Sequence, residues 1–166
     1  MKDKLMHVIV AGSRSVLDYE YVKACLDNIL GDEYADIIII SGTAPGADRM
    51  GSRWALQTPN AQLCEIPAQW DRYGKSAGFR RNEDMARIAN YAIVFWDGES
   101  KGSSHMIAMA KRHDVMVKVL PATREQYDAA RNEMQVELQH MAQGSSEEEE
   151  LAALSDDQAE RETNVG

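Results

Sequence analysis

Apolar residues along this chain fall into short runs that alternate with stretches of helical spacing. His7 to Ala11 reads as a strand that stops at Gly12. Val22, Leu26, Ile29 and Leu30 then recur on one face, the spacing of an amphipathic helix. Asp18 is placed to cap that helix, Leu17 and Val22 are placed as a hydrophobic staple across its start, and Gly31 ends it. Ile37 to Ile40 is apolar at every position, as expected of a central strand covered on both faces. The same reading gives a helix from Gly46 to about Leu56, a third strand from Gln62 to Ile66 and a polar, aromatic loop from Trp70 to Gly78. A helix Phe79 to Ala89, a strand Tyr91 to Trp96, a helix Ser104 to Arg112, a strand Met116 to Leu120 and a long helix from Thr123 to about Met141 follow.

Strands alternating with helices imply right-handed crossovers and parallel pairing. The predicted fold is α/β: a Rossmann-like, three-layer arrangement with a mostly parallel five-stranded sheet. Ligands in such sheets bind outside the carboxyl ends of the strands, where the strand order reverses. The loops after the first, second and fourth strands are therefore the places to look. At 166 residues the chain suits one domain. That domain is expected over residues 1–142, with 143–166 an acidic, disordered tail whose Gly, Ser and acid content offers too little apolar surface to offset ordering. An inert tail is the simpler reading, against a partner-binding helix carrying Leu151 and Leu154.

Charge narrows the partners. The net charge is -9, yet eight of the 27 acids and one of the 18 basic residues fall from Glu147 onward, leaving 19 acids and 17 basic residues before it. A near-balanced body gives no support for tracking a nucleic-acid backbone, so nucleic acid is an unlikely partner on this reading. No apolar run approaches the roughly 20 residues that cross a bilayer, and the charged Met1–Met6 start lacks a secretory h-region. Cys25 and Cys64 read as buried, reduced thiols. The expected location is the cytoplasm. His and Cys show no spacing of a metal site, no cofactor is implied, and nothing opposes a homo-oligomer.

Three loops carry candidate chemistry. In Gly12-Ser13-Arg14, the glycine lets a ligand approach the backbone and Arg14 offers a fork for phosphate; a plain turn with a solvated Arg fits equally. Ser41-Gly42-Thr43-Ala44-Pro45-Gly46-Ala47-Asp48 joins the most apolar strand to a helix whose free N–H groups suit an anion. Asp48 there either caps N–H groups or accepts from a ribose hydroxyl. Three residues separate Gly42 from Gly46 and no Lys follows, so this is not a Walker A loop, and GxGxxG is missing after the first strand. In the third loop, Asp97, Gly98, Ser100, Gly102, Ser103 and Ser104 lead into another helix start; Ser103 and Ser104 serve as caps or as phosphate donors. His105 reads as a plain surface histidine. Arg80 and Arg81 at a helix start oppose its dipole, which suggests an anion to hold or a salt bridge to Glu83 or Asp84. Trp70 and Tyr73 either stack on a base or cover the sheet edge.

Taken in order, Gly12-Ser13-Arg14, Ser41 to Asp48, Arg81-Asn82 and Asp97 to Gly102 resemble the YspA-type (cpYpsA-related) family of the SLOG superfamily over about residues 5 to 120. That resemblance implies a Rossmann-like fold and a nucleotide or nucleotide-derived ligand, in a sensor or sequestering protein. Related groups are the LOG phosphoribohydrolases, which cut the base from a nucleoside monophosphate, and the DNA-binding protein DprA. Arg81-Asn82-Glu83-Asp84-Met85 is similar to the LOG Arg-Lys-x-x-Met pattern, which gives Arg81 a catalytic or ligand-orienting role by resemblance. The LOG Pro-Gly-Gly-x-Gly-Thr segment corresponds to Ser100-Lys101-Gly102-Ser103, but the Glu that follows it is missing: Ser104, His105 and Met106 stand there. Phosphate binding survives the comparison. N-glycosidic hydrolysis is the alternative, with Asp48 or Asp97 as the carboxylate that an oxocarbenium-like transition state would want. A DprA-like association with DNA is the third reading.

Overall fold

The structure is a computed structural model and describes residues 4–163. Five strands, β1 (Leu5–Gly12), β2 (Asp36–Ser41), β3 (Ala61–Glu65), β4 (Tyr91–Trp96) and β5 (Met116–Pro121), form one sheet in the order β3-β2-β1-β4-β5. All four pairings are parallel. Between them run α1 (Tyr19–Leu30), α2 (Ala47–Gln57), α3 (Trp70–Tyr73), α4 (Ala77–Ile88) and α5 (Lys101–Arg112), and α6 (Arg124–Thr163) follows β5. The Rossmann-like α/β expectation holds, and the sheet is parallel throughout.

Period-two alternation explains why the inner strands are apolar at successive positions. Val8, Val10, Ile37, Ile39, Ile93 and Phe95 enter the cluster beneath α1 and α2. Ile9, Ala11, Ile40, Ala92 and Val94 enter the opposite cluster with Met85, Met106 and Ala110 of α4 and α5. Each inner strand therefore fills two cores, one per face. β1 pairs with β2 on one side and β4 on the other, so the strand order reverses between β1 and β4. The loops leaving these two strands diverge there and open a crevice.

Several local expectations change. Asp18 caps α1, accepting from the Tyr21 N–H at 3.1 Å, but Leu17 is 81% exposed and forms no staple; Val16 is the residue buried beside this helix start. Residues 70–76, expected as loop, are the short helix α3 and a 3-10 turn, Gly74–Ser76. α4 consequently begins at Ala77, which puts Arg80 and Arg81 past the first turn. The dipole penalty inferred for them does not apply, because that effect fades beyond the first turn. α5 begins at Lys101, three residues ahead of the expected Ser104. Cys25 and Cys64 are free thiols and only half-buried.

The chain divides into two compact units, up to Tyr127 and from Asp128 onward. Every residue from Asp128 to Ser155 is exposed. Helix is the conformation through Thr163, where disorder is expected from Gln143. The Glu, Ala, Leu and Gln content has strong helix propensity, which offsets a single Gly144. No helix among the described residues is long and apolar enough to cross a membrane.

Candidate functional site

The site grows from Gly12 at the end of β1. A Cβ there would run into the Phe95 carbonyl of β4 and stand 2.9 Å from the Ala47 Cβ. Only glycine lets the two strands and α2 meet this closely. Ser13, buried, continues the join: its N–H donates to Phe95 O at 2.8 Å and its Oγ accepts from the Asp97 N–H at 3.1 Å. The first and third loops are thus laced together across the reversal point.

Asp97 then braces the third loop. Its Oδ1 accepts from the Ser100 N–H at 2.8 Å and the Glu99 N–H at 2.9 Å, and Ser15 Oγ donates to its Oδ2 at 3.3 Å. The Ser100 and Glu99 N–H groups hold the Asp97 carboxyl below the usual range. Ser100 caps α5: its Oγ accepts from the Ser103 N–H and its carbonyl from the Ser104 N–H. The first N–H groups of a helix have no intrahelical acceptor. With those of Ser103 and Ser104 engaged, the Lys101 and Gly102 N–H groups are the donors offered at this helix start. A Cβ at Gly102 would meet nothing within 4 Å, so the space outside it is open.

The second loop is built differently. Ser41 Oγ donates to the Asp48 carbonyl and accepts from the Thr43 N–H, at 3.1 and 3.2 Å. Thr43 takes a φ of 65°, a costly conformation for a β-branched residue. Gly46, at φ 87°, packs beneath the first loop; a Cβ there would stand 2.5 Å from Ser13 O. The Ala47 N–H is taken by Ser13 O at 3.4 Å. Asp48, 4% exposed, accepts from the Ala44 N–H at 3.2 Å. The second loop thus carries the protein's own carboxylate close to the α2 start, which opposes a phosphate at the position where the sequence suggests one. Burial pushes the Asp48 carboxyl up to about 6, against the Ala44 and Gly12 N–H groups and the Arg81 charge, which act to lower it.

Arg81 joins the second loop to α4. Its Nη1 donates to the Gly42 carbonyl, and its Nε donates to Asn82 Oδ1 at 3.1 Å. A Cβ at Gly42 would lie 2.5 Å from Arg81 Nη1 and 2.8 Å from Asp48 Oδ2, so a side chain there would displace both of these side-chain ends. Asn82, 5% exposed, donates through Nδ2 to the Gly102 carbonyl at 3.3 Å and stands 3.2 Å from His105 Nδ1. His105 is more than a surface histidine: its ring stacks on Phe79 at 4.0 Å with 7° between planes. Burial lowers its proton affinity.

These groups enclose a cavity of about 480 Å³. Gly12, Arg14, Asp48, Arg81, Asn82, Asp97, Ser100, Gly102 and Ser103 line it, all expected from sequence. Ser13, Ser41, Gly42, Gly46 and Ala47 lie behind the lining and shape it, Thr43 sits in the same loop, and Gly98 and Ser104 are exposed outside. Ala11, Ser15, Ala44, Lys75, Gly78, Phe79, Met85 and Met106 also line it without having been expected as site residues, and Trp70, expected to stack on a base or to cover the sheet edge, lines it too. Lys75 was hidden because it falls in a segment without helical periodicity. Tyr73 is not in the wall; Arg72 and Arg80 sit over its ring at 5.0 and 4.4 Å. Among the described residues no cluster of His, Cys, Asp and Glu is placed to hold a metal.

Chemically, the cavity wall carries both donors and an acceptor. The α5 start, with Arg14 and Lys75 also in the wall, offers positive charge and N–H donors. Asp48 offers a carboxylate. Trp70 and Phe79, 55% and 48% exposed, add aromatic surface.

Comparison with known proteins gives three findings. The profile of the YspA, cpYpsA-related SLOG family matches residues 6–73. The Gene 61 protein of Mycobacterium phage D29 is 30% identical over 118 residues, covering 68% of this chain and 94% of the phage protein. A solved structure of DNA processing protein A from Helicobacter pylori, reported for its single-stranded DNA binding mode, superposes with a TM-score of 0.53 at 15% identity, covering 78% of this chain and 72% of that one.

Proposed function

This chain belongs to the YspA, cpYpsA-related SLOG family, and from that premise we propose that it binds a nucleotide or nucleotide-derived small molecule in the cavity between the β1 and β4 loops. One observation carries the reading: a cavity of about 480 Å³ at the strand-order reversal, with a helix start, Arg14 and Lys75 in its wall. That volume lies within the range of small-molecule sites. The anionic group of the ligand sits at the Lys101 and Gly102 N–H groups, where the helix dipole favours it, and not at the second loop, where Asp48 repels it. Trp70 and Phe79 supply faces on which a base stacks. A role as sensor or sequestering protein follows from binding without turnover.

The test is calorimetry of the full chain with AMP, NAD and ADP-ribose, alongside mass spectrometry of small molecules released from the purified protein. Saturable binding of one of them, or a co-purifying nucleotide derivative, supports the reading. A single-stranded oligonucleotide belongs in the same titration. The near-balance of charge before Glu147 is an average over the body, and the Helicobacter pylori neighbour is reported for that ligand. Binding of the oligonucleotide alone would replace a small-molecule site by a nucleic-acid one.

N-glycosidic hydrolysis is the second reading, and Asp48 favours it. A buried carboxyl whose proton affinity is raised to about 6, beside Arg81, has the character of a group that exchanges protons near neutral pH. Release of free base from a nucleoside 5′-monophosphate, lost in Asp48→Asn, would establish it.

A further inference from the structure

We infer that Asp48 reads the hydroxyl pair of a ribose, so that the site takes ribonucleotides in preference to 2′-deoxyribonucleotides. This deepens the nucleotide reading above and rests on it. Three observations carry it. First, Asp48 is 4% exposed and still faces the cavity. A carboxylate has about four acceptor positions; the Ala44 and Gly12 N–H groups occupy two of them. The remaining acceptor capacity opens on the cavity, where a ligand's donors can reach it. Second, those donors are neutral. Arg81 and Arg14 both act electrostatically on Asp48, and they would repel an ammonium group brought to it. Third, the donors are not on a base. Ala44 and Gly12, which bond to Asp48, offer no ring to stack on, and the aromatic wall is Trp70 and Phe79. A sugar bearing adjacent hydroxyls, held by an anionic group at the α5 start, satisfies all three.

A charge-assisted hydrogen bond supports roughly tenfold to hundredfold discrimination, and losing its donor leaves a buried acceptor unmet. The experiment is calorimetry of the full chain with the four common ribonucleoside 5′-monophosphates, their 2′-deoxy counterparts and their 2′-O-methyl counterparts. The expected result is a ribonucleotide that binds about tenfold or more tightly than its 2′-deoxy and 2′-O-methyl forms. Asp48→Asn, checked for folding by circular dichroism, should bring the three to within about threefold. Equal binding of the ribo and deoxy forms by the parent chain overturns this inference and leaves the nucleotide reading standing. Preference retained in a folded Asp48→Asn also overturns it. Absence of binding by every mononucleotide at millimolar concentration overturns this inference, and the nucleotide reading falls with it if NAD and ADP-ribose also fail to bind. Because the parent comparison needs no variant, the inference remains testable if Asp48→Asn does not fold.

Discussion

Gly46 and Asp48 lie two residues apart and shape the site by different physics. Gly46 takes a φ of 87° and packs against the first loop, where a Cβ would stand 2.5 Å from Ser13 O and 2.8 Å from Arg14 Cα. Both contacts are with backbone, so no rotamer change relieves them. Gly46→Val should therefore destabilise the fold, by at least about 2 kcal/mol, in addition to disturbing the site. Urea unfolding that gives parent stability would contradict this account of the loop. Asp48 acts through its proton. Its folded value of about 6 lies above the 3.8 of an ordinary Asp carboxyl, so the folded chain holds more protons than the unfolded chain between these values. Stability from this group is then highest below pH 4 and is lost as pH rises towards 6. Asp48→Asn should flatten that part of the stability-against-pH curve. An unchanged slope between pH 4 and 6 would show that another group causes it.

At the scale of elements, α5 bears on both stability and binding. Ser100 Oγ accepts from the Ser103 N–H and lies 3.1 Å from Ser103 Oγ. Ser100→Ala removes this cap and should cost about 1 kcal/mol. It should also weaken ligand binding, because the Lys101 and Gly102 N–H groups lose their fixed direction. Calorimetry and thermal melting on the same variant check both; a stability loss without any affinity change would separate this helix start from the site. The core strands were legible in the sequence, since Ile37 to Ile40 and Ile93 to Phe95 are apolar at successive positions and cannot be half-exposed strands. The Asp18 cap was legible for the same kind of local reason. α3 was not: Trp70–Tyr73 is too short and too polar to show a period. The expected α5 start lies three residues late because Lys101 and Gly102 carry no start signal, while the effective cap, Ser100, lies outside the Ser103-Ser104 pair. The site residues within glycine-bearing loops could be read from their own segments. The partnership of His105 with Phe79 and Asn82 joins two helices and has no local signature.

For the whole molecule, the fold rests on the unit up to Tyr127, whose two cores contain the buried apolar residues. From Asp128 to Ser155 each residue is exposed, and a helix without tertiary packing is marginal in water. A chain ending at Gln143 should consequently melt within a few degrees of the full chain. A large fall in Tm would mean that residues beyond Gln143 pack in a way the exposed positions do not account for. The proposed site puts the anionic group of a nucleotide-derived ligand at the α5 start and not at the α2 loop. The most direct measurement is backbone amide NMR during titration with whichever of AMP, NAD and ADP-ribose binds. The largest shifts are expected on the Lys101 and Gly102 amides. Largest shifts at Ala44 to Ala47, with Lys101 and Gly102 unmoved, would contradict it.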